Sequence, residues 1–229
     1  MDEKNEKSYQ RNLFSKIKSN FILKQIFNDL DKKVSLEIIR YNKRIKKRLN
    51  KIYNMNFTYN DMDEIIEGIY LGDIESAQNI PKLKELRIKK VLSLYVPIEP
   101  LYKESDNFIH KECNVDDLSQ QNIIQYFGEC LKFIKGDEKI LVHCAAGASR
   151  SATIVIAYLM WDKKMSYKDA YAFAKGKRSI VWPNSGFAEQ LQLFEKLLKE
   201  NEYDIDKINF EKVEWKPKEE IGYYSFNFN

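Results

Sequence analysis

A cysteine and an arginine with five residues between them are the residues of this 229-residue chain best suited to do chemistry. Between Cys144 and Arg150 lie Ala145, Ala146, Gly147, Ala148 and Ser149. Such a loop is too short to hold side chains across a ligand, so its backbone N–H groups can turn inward and bind an anion. Gly147 lets the loop curl, because glycine adopts backbone angles closed to other residues. The planar guanidinium of Arg150 can bind two oxygens at once, so the segment predicts a phosphoryl site facing the Cys144 sulfur.

The same arrangement predicts an ionised sulfur. A free cysteine thiol has a pKa of about 8.5, and inward-facing amides, a helix N-terminus and a guanidinium all lower it. The hydroxyl of Ser151 can donate a hydrogen bond to the Cys144 sulfur and help it to leave. His143 is expected to order the loop by hydrogen bonding rather than to act as a base. A buried cysteine at a strand end is more commonly inert packing, but the polar residues in register around Cys144 favour a nucleophile.

These residues resemble the signature of the dual-specificity phosphatases, which belong to the cysteine-based protein tyrosine phosphatase superfamily. The signature His-Cys-x5-Arg-Ser/Thr is matched by His143, Cys144, Arg150 and Ser151. The resemblance extends over residues 56–198. It begins with a segment similar to the family's opening strands, 65–73, and ends with the motif 182–187 and the helix that follows.

The resemblance implies an enzyme that removes phosphate from tyrosine and from serine or threonine of proteins through a cysteinyl-phosphate, without metal or cofactor. Cys144 would be the nucleophile, Arg150 and the loop amides would hold the phosphate oxygens, and Ser151 would ease the departure of the sulfur. In the family, the asparagine matched by Asn184 braces the phosphate loop. The alternative role for Asn184 is that of a helix N-cap, for which asparagine is a preferred residue.

A phosphatase of this kind also needs a general acid for the departing oxygen, and the segment 113–119 contains two neighbouring aspartates. In the family pattern, the acid precedes the end of an aromatic pair by about ten residues. Counting back from Phe127 reaches Asp117, which is the predicted general acid. Asp116 is the alternative, with a role as a loop charge or turn residue if Asp117 is the acid.

Three other functions fit parts of the pattern. A phosphoinositide phosphatase or an RNA 5′-phosphatase of the same superfamily would use the same cysteine and arginine. Lipid-acting relatives carry basic residues in the loop, whereas this loop has Ala145, Ala146 and Ala148, which argues against such substrates. A pseudophosphatase that only binds phosphate is disfavoured, because the nucleophile, the arginine, the serine and the acid candidates are all present.

The elements around the loop predict a three-layer α/β fold, tyrosine phosphatase-like, with a small central, mostly parallel sheet flanked by helices. Short apolar runs are typical of strands buried on both faces of a parallel sheet. Strands are predicted at 65–71, 89–96, 108–115 and 140–143. Helices are predicted at 121–134, 150–162, 166–175 and 184–200, with helical turns after the first strand through residue 86.

The composition of the chain indicates the cellular compartment in which the protein is expected to work. The chain has three cysteines, too few for a disulfide framework, and an active thiolate needs a reducing compartment. No stretch approaches the roughly 20 apolar residues of a membrane span, and the first residues lack a signal-peptide pattern and the glycine that myristoylation requires. We therefore expect a cytoplasmic protein, with nuclear import as a further option. We expect no metal, since Cys113 and His110 lack further ligands at zinc spacing.

The first 55 residues form a predicted basic helical extension to a catalytic domain at 56–200. Through residue 52 there are 15 Lys and Arg against 6 Asp and Glu, a net charge of +9, and the rest carries 23 against 28, or −5. An apolar stripe at 38–52 is expected to pack on the domain, and contact with a membrane surface is the less favoured alternative.

The aromatic tail, 201–229, should pack back onto the domain. The expected partner is a phosphorylated protein, with a kinase as one candidate; no nucleic acid is expected, and the sequence does not define the oligomeric state.

Overall fold

The computed structural model of the protein describes residues 62–95 and 101–216. The predicted N-terminal extension, its apolar stripe at 38–52 and the last residues of the tail lie outside this part of the chain. None of the helices within the described residues is long and apolar enough to cross a membrane.

A sheet of five strands lies at the centre of the described residues. The strands are β1 (Met62–Ile66), β2 (Ile69–Gly72), β3 (Lys90–Ser93), β4 (Ile109–Glu112) and β5 (Ile140–His143). Their order in the sheet is β1-β2-β5-β3-β4. Strands β2, β5, β3 and β4 run parallel to one another, and β1 pairs antiparallel with β2 at one edge. The predicted mostly parallel sheet is therefore confirmed.

Helices cover both faces of the sheet, as a three-layer fold requires. They are α1 (Ile74–Gln78), α2 (Ile80–Glu85), α3 (Phe127–Ile134), α4 (Arg150–Asp162), α5 (Tyr167–Lys177) and α6 (Ser185–Glu200). Alternate residues of β5 point to opposite faces, so Ile140 and Val142 join the larger core with α3, α4 and α6, whereas Leu141 joins a smaller core with α1 and α2. Burial of β5 on both faces explains its uninterrupted apolar sequence.

The predicted strand at 65–71 is wrong, because the structure contains two strands and a tight turn there. β1 ends at Ile66 and β2 begins at Ile69. Gly68 lies in the turn with φ +79°, a conformation that suits glycine, and its N–H donates to Glu64 Oε1 at 2.9 Å. The apolar residues on both sides of the turn read as one run in the sequence.

The predicted helix at 121–134 begins later than expected. A short 3₁₀ turn, Ile124–Tyr126, precedes α3, which starts at Phe127. The side chain of Gln190 on α6 binds the backbone at this point: its Oε1 accepts from the N–H groups of Ile123 and Ile124, and its Nε2 donates to the carbonyl of Gln121. These bonds hold the first three predicted residues in a loop rather than in a helical turn.

The first part of the tail packs on the domain, which confirms the prediction for the described residues. Ile205, Ile208 and Phe210 are buried in the larger core. Phe210 fits against α3 because residue 128 is glycine: a Cβ there would lie 2.6 Å from the Phe210 ring. The core therefore continues beyond residue 200, the predicted end of the catalytic domain.

Candidate active site

The loop 144–149 lies at the carboxyl edge of the sheet, where β5 ends and α4 begins. In a parallel sheet the carboxyl ends of all strands meet at one edge, which is where open α/β sheets bind ligands. Here Gly72, Ser93 and His143, at the ends of β2, β3 and β5, lie side by side in register. The loop therefore emerges from the middle of the sheet, next to the ends of both neighbouring strands.

Three carbonyl groups of the loop are turned away from its centre by hydrogen bonds to the surrounding protein. The Ala145 carbonyl accepts from the Ile74 N–H at 3.3 Å, and the Ala148 carbonyl accepts from the Trp182 N–H at 2.7 Å. The Gly147 carbonyl accepts from Arg178 Nε at 3.0 Å. With the carbonyls held outward, the loop can present its N–H groups to an anion, as the sequence predicted for residues 145–149.

Cys144 lies at the base of this loop with 1% of its surface exposed. Its Sγ accepts hydrogen bonds from the Gly147 N–H at 3.3 Å and from the Ser151 hydroxyl at 3.2 Å. Burial alone would raise the pKa of the Cys144 thiol, but the Arg150 guanidinium and the Ser151 hydrogen bonds outweigh it and lower the pKa. The site therefore favours the thiolate, which is the nucleophilic form of cysteine.

Arg150, the first residue of α4, is held by the backbone on one side of its guanidinium. Its Nη1 donates to the Val115 carbonyl at 3.1 Å and to the Leu94 carbonyl at 3.4 Å. Its Nε is buried and has no hydrogen-bond partner among the described residues. A buried donor without a partner is costly, so the Nε edge is suited to bind a charged oxygen of a ligand.

Asp117 is bonded directly to the phosphate loop, and both it and its neighbour Asp116 are exposed to solvent. Asp117 Oδ1 accepts from the Ser149 hydroxyl at 2.7 Å and from Asn184 Nδ2 at 3.0 Å. Its Oδ2 lies 3.8 Å from Arg150 Nε. Because Oδ1 already accepts two hydrogen bonds, Oδ2 is the oxygen able to carry a proton toward a ligand near Arg150.

Asn184 caps α6 and also contacts the phosphate loop, so it has both of the roles that the sequence presented as alternatives. Its Oδ1 accepts from the Phe187 N–H at 3.0 Å and caps α6, while its Nδ2 binds Asp117. Its own N–H donates to the Ser149 hydroxyl at 3.2 Å. Asn184 thus joins the N-terminus of α6 to both the loop and the aspartate.

His143 is fully buried and lies beside the loop. Its Nε2 is 2.7 Å from the Ser93 hydroxyl, which is also 2.7 Å from His110 Nε2. Burial and then the nearby His110 lower the pKa of His143 to about 3, so the imidazole is neutral at ordinary pH. A neutral, hydrogen-bonded ring fits the predicted ordering role.

Arg178, at the end of α5, is a contributor that the sequence analysis missed. It is 2% exposed, and in addition to its bond to Gly147 its Nη1 pairs with Asp63 on β1 at 2.6 Å. An arginine after a helix rich in lysine gives no sign of burial in the sequence. Its contact with the loop depends on β1 supplying a carboxylate from far away in the chain.

Gly147 is required at its position for two reasons, and alanine there should destabilise the protein. Its φ is +66°, and a Cβ would lie 2.5 Å from the Gly72 carbonyl oxygen and 2.8 Å from Arg178 Nη2. We expect Gly147→Ala to lower the free energy of unfolding by about 1–3 kcal/mol, measured by urea denaturation.

Gly176→Ala is the matched control for this substitution. Gly176 lies on α5, and no other side chain or distant backbone atom comes within 4 Å of the place that a Cβ would occupy there. Alanine at this position should stabilise the protein by about 0.5–1 kcal/mol, since glycine is a poor helix former. Equal unfolding free energies for the two variants would contradict this account of the loop.

Comparison with known proteins identifies similar sequences. The family described as "Dual specificity phosphatase, catalytic domain" matches residues 69–197. The chain is 39% identical over 145 residues to dual specificity protein phosphatase 1B of Arabidopsis thaliana, an alignment that covers 62% of this chain and 86% of that protein. It is 42% identical over 137 residues to MAP kinase phosphatase with leucine-rich repeats protein 1 of Dictyostelium discoideum, covering 58% of this chain and 16% of that one.

A solved structure shows the same similarity in three dimensions. The human tyrosine phosphatase-like serine/threonine/tyrosine-interacting protein superposes with a TM-score of 0.56 at 35% sequence identity, covering 60% of this chain and 97% of that chain. The family match over residues 69–197 runs from β2 into α6 and so includes the loop after β5.

Proposed function

Because the chain belongs to the dual specificity phosphatase family, we propose that it hydrolyses phosphotyrosine and phosphoserine or phosphothreonine of proteins, with Cys144 as nucleophile. The observation that carries this proposal is the setting of the Cys144 sulfur. It is buried at the base of a loop whose carbonyls face away, accepts two hydrogen bonds, and lies in the field of Arg150.

In the first step, the Cys144 thiolate attacks phosphorus, and the bond from phosphorus to the side-chain oxygen of the substrate's tyrosine, serine or threonine breaks. The loop N–H groups and the Nε edge of Arg150 stabilise the negative charge on the other phosphate oxygens. Asp117 transfers a proton from Oδ2 to the departing oxygen. The products are a cysteinyl-phosphate and the free hydroxyl of the substrate.

In the second step, water attacks phosphorus and Asp117 takes up its proton. The bond from sulfur to phosphorus breaks, which restores the thiolate and releases inorganic phosphate. The Ser151 hydroxyl, 3.2 Å from Sγ, donates a hydrogen bond that stabilises the departing sulfur. Each residue thereby returns to its starting protonation state, and no cofactor takes part.

The chemistry of the loop supports a protein substrate over a phosphoinositide. A lipid headgroup with several phosphates is bound by several basic side chains, whereas residues 145–149 are alanine, glycine and serine. The relative from Dictyostelium is named as a MAP kinase phosphatase, which supports a phosphorylated kinase as one candidate substrate. A cytoplasmic location would suit the free Cys113, Cys130 and Cys144 thiols.

The test is a comparison of initial rates on four substrates. These are an activated aryl phosphate, a phosphotyrosine peptide, an activation-loop peptide phosphorylated on both threonine and tyrosine, and a phosphoinositide in vesicles. We expect release of both phosphates from the doubly phosphorylated peptide and a slower rate on the phosphoinositide. The Cys144→Ser variant, run in parallel, excludes a contaminating phosphatase. A faster rate on the phosphoinositide, or peptide binding without phosphate release, would contradict the proposal.

A further inference from the structure

Two cysteines outside the phosphate site face one another, with a carboxylate beside them. Cys113 follows β4 and Cys130 lies in α3; their sulfurs are 3.5 Å apart, and their exposures are 2% and 0%. Glu129 Oε1 is 3.7 Å from Cys113 Sγ. The three donor atoms all lie within 4.8 Å of one another. Neither thiol takes part in the mechanism proposed for Cys144.

The separations of these atoms match those around a tetrahedral zinc ion. With Zn–S bonds of about 2.3 Å and a Zn–O bond of about 2.0–2.2 Å, tetrahedral angles place two sulfurs about 3.8 Å apart and a sulfur and an oxygen about 3.5–3.6 Å apart. In the protein the two sulfurs are 3.5 Å apart, Cys113 Sγ is 3.7 Å from Glu129 Oε1, and the remaining pair of donor atoms lies within 4.8 Å. Small side-chain adjustments would bring all three donors to one ion.

We propose that Cys113, Cys130 and Glu129 form a binding site for a thiophilic divalent cation of the Zn²⁺ class, with water as the fourth ligand. On binding, each cysteine loses the proton of its S–H group to solvent and forms a bond from sulfur to the metal. Glu129 binds through Oε1. The metal is neither oxidised nor reduced.

Lys111 completes the charge balance of this site. A Zn²⁺ ion with two thiolates and one carboxylate has a net charge of −1, and the Lys111 ammonium supplies +1. Its Nζ lies 2.8 Å from Glu129 Oε2, so it holds the second oxygen and leaves Oε1 turned toward the sulfurs. Such outer partners orient metal ligands. Glu129 is about half exposed, so the ion and its water ligand can reach the site along this side chain.

The site joins parts of the chain that enclose residues 114–123, the acid loop between β4 and the 3₁₀ turn. Cys113 and Cys130 flank the residues that contain Asp117, so a metal between them would link the end of β4 to α3. The sequence predicted no metal because zinc motifs have ligands at short spacings. Here a strand end and a helix bring Cys113 together with residues sixteen and seventeen positions away.

The test is a Co²⁺ titration of the full chain as a spectroscopic substitute for Zn²⁺. The Cys144→Ser background removes the active-site thiolate, which could itself bind soft metals, and a non-thiol reductant prevents disulfide formation. We expect one Co²⁺ per chain, with absorption from thiolate-to-cobalt charge transfer and tetrahedral d–d bands, displaced by Zn²⁺. Zn²⁺ at about a hundred times its Kd should raise the Tm by roughly 5–10 °C.

Substitutions identify the ligands. Cys113→Ser and Cys130→Ser should each remove most of the charge-transfer absorption, and Glu129→Gln should weaken metal binding by about tenfold or more. Glu211→Gln, an exposed carboxylate in the turn 210–212, is the matched control and should bind as the background does.

Three results would overturn the proposal: no tetrahedral cobalt spectrum, a spectrum that persists in the Cys113→Ser, Cys130→Ser double variant, or equal affinities for Glu129→Gln and Glu211→Gln. Circular dichroism checks the fold of each variant. If the cysteine variants do not fold, the glutamate pair decides the outcome, because both of its members keep the buried thiols.

Discussion

Replacing Cys144 with serine is expected to lower kcat on an aryl phosphate by about 10⁴-fold or more, while the protein still binds oxyanions. A serine hydroxyl remains protonated where the cysteine is a thiolate, so it is a far weaker nucleophile. The anion cradle should survive, because its outward carbonyl contacts come from Ile74, Arg178 and Trp182 and do not involve the sulfur. Initial rates measure the first effect, and calorimetric titration with tungstate measures the second.

The matched control for this variant is Cys130→Ser, measured with a chelator present. It changes another buried thiol of the same core, and kcat should stay close to that of the unmodified protein. Residual turnover by Cys144→Ser above about a tenth of the normal rate would rule out Cys144 as the nucleophile.

Replacing Asp117 with asparagine is expected to slow phosphotyrosine peptide cleavage by about 10²–10⁴-fold. The asparagine Oδ1 can still accept from Ser149 and Asn184, so the loop should keep its geometry. The amide at the position of Oδ2 cannot give up a proton to the departing oxygen. The loss should be much smaller on an activated aryl phosphate, whose leaving group needs no proton.

Asp116→Asn is the control for Asp117→Asn, since it makes the same change one residue earlier in the same exposed loop. Its rates on both substrates should match those of the unmodified protein. The opposite pattern, with the leaving-group dependence following residue 116, would assign the acid role to Asp116.

The elements around the active site were predictable because each has a local signal. Both predicted bounds of β5 were correct, because a strand that is buried on both faces has an unbroken apolar sequence. The predicted start of α4 at Arg150 was also correct. The turn at Gly68 was missed because apolar residues continue on both sides of it. The late start of α3 depends on a side chain of α6, which no local pattern near residue 121 contains.

The residues that support the site were less predictable than those that were expected to react. The spacing of Cys144 and Arg150 is local, so it is visible in the sequence. Arg178 and Gln190 act through contacts with residues 31 and 67 positions away, and their roles appear only when the helices are packed. Ser149 was identified as a loop residue, but its hydrogen bond to Asp117 required the fold.

The anchoring of the acid loop by α6 has a kinetic consequence. Asn184 binds Asp117 within this loop, Gln190 binds its end at Ile123, and Gly186 lies so close to it that a Cβ would meet the Ser119 carbonyl. Many hydrolases must close a flexible lid over the substrate on the microsecond-to-millisecond timescale before chemistry begins. Here the Asp117 carboxyl is positioned by hydrogen bonds formed on folding, so we expect no separate lid-closing event. We then expect the rate on a phosphopeptide to depend on how well the peptide fits the acid loop as folded, and not on a step in which that loop closes.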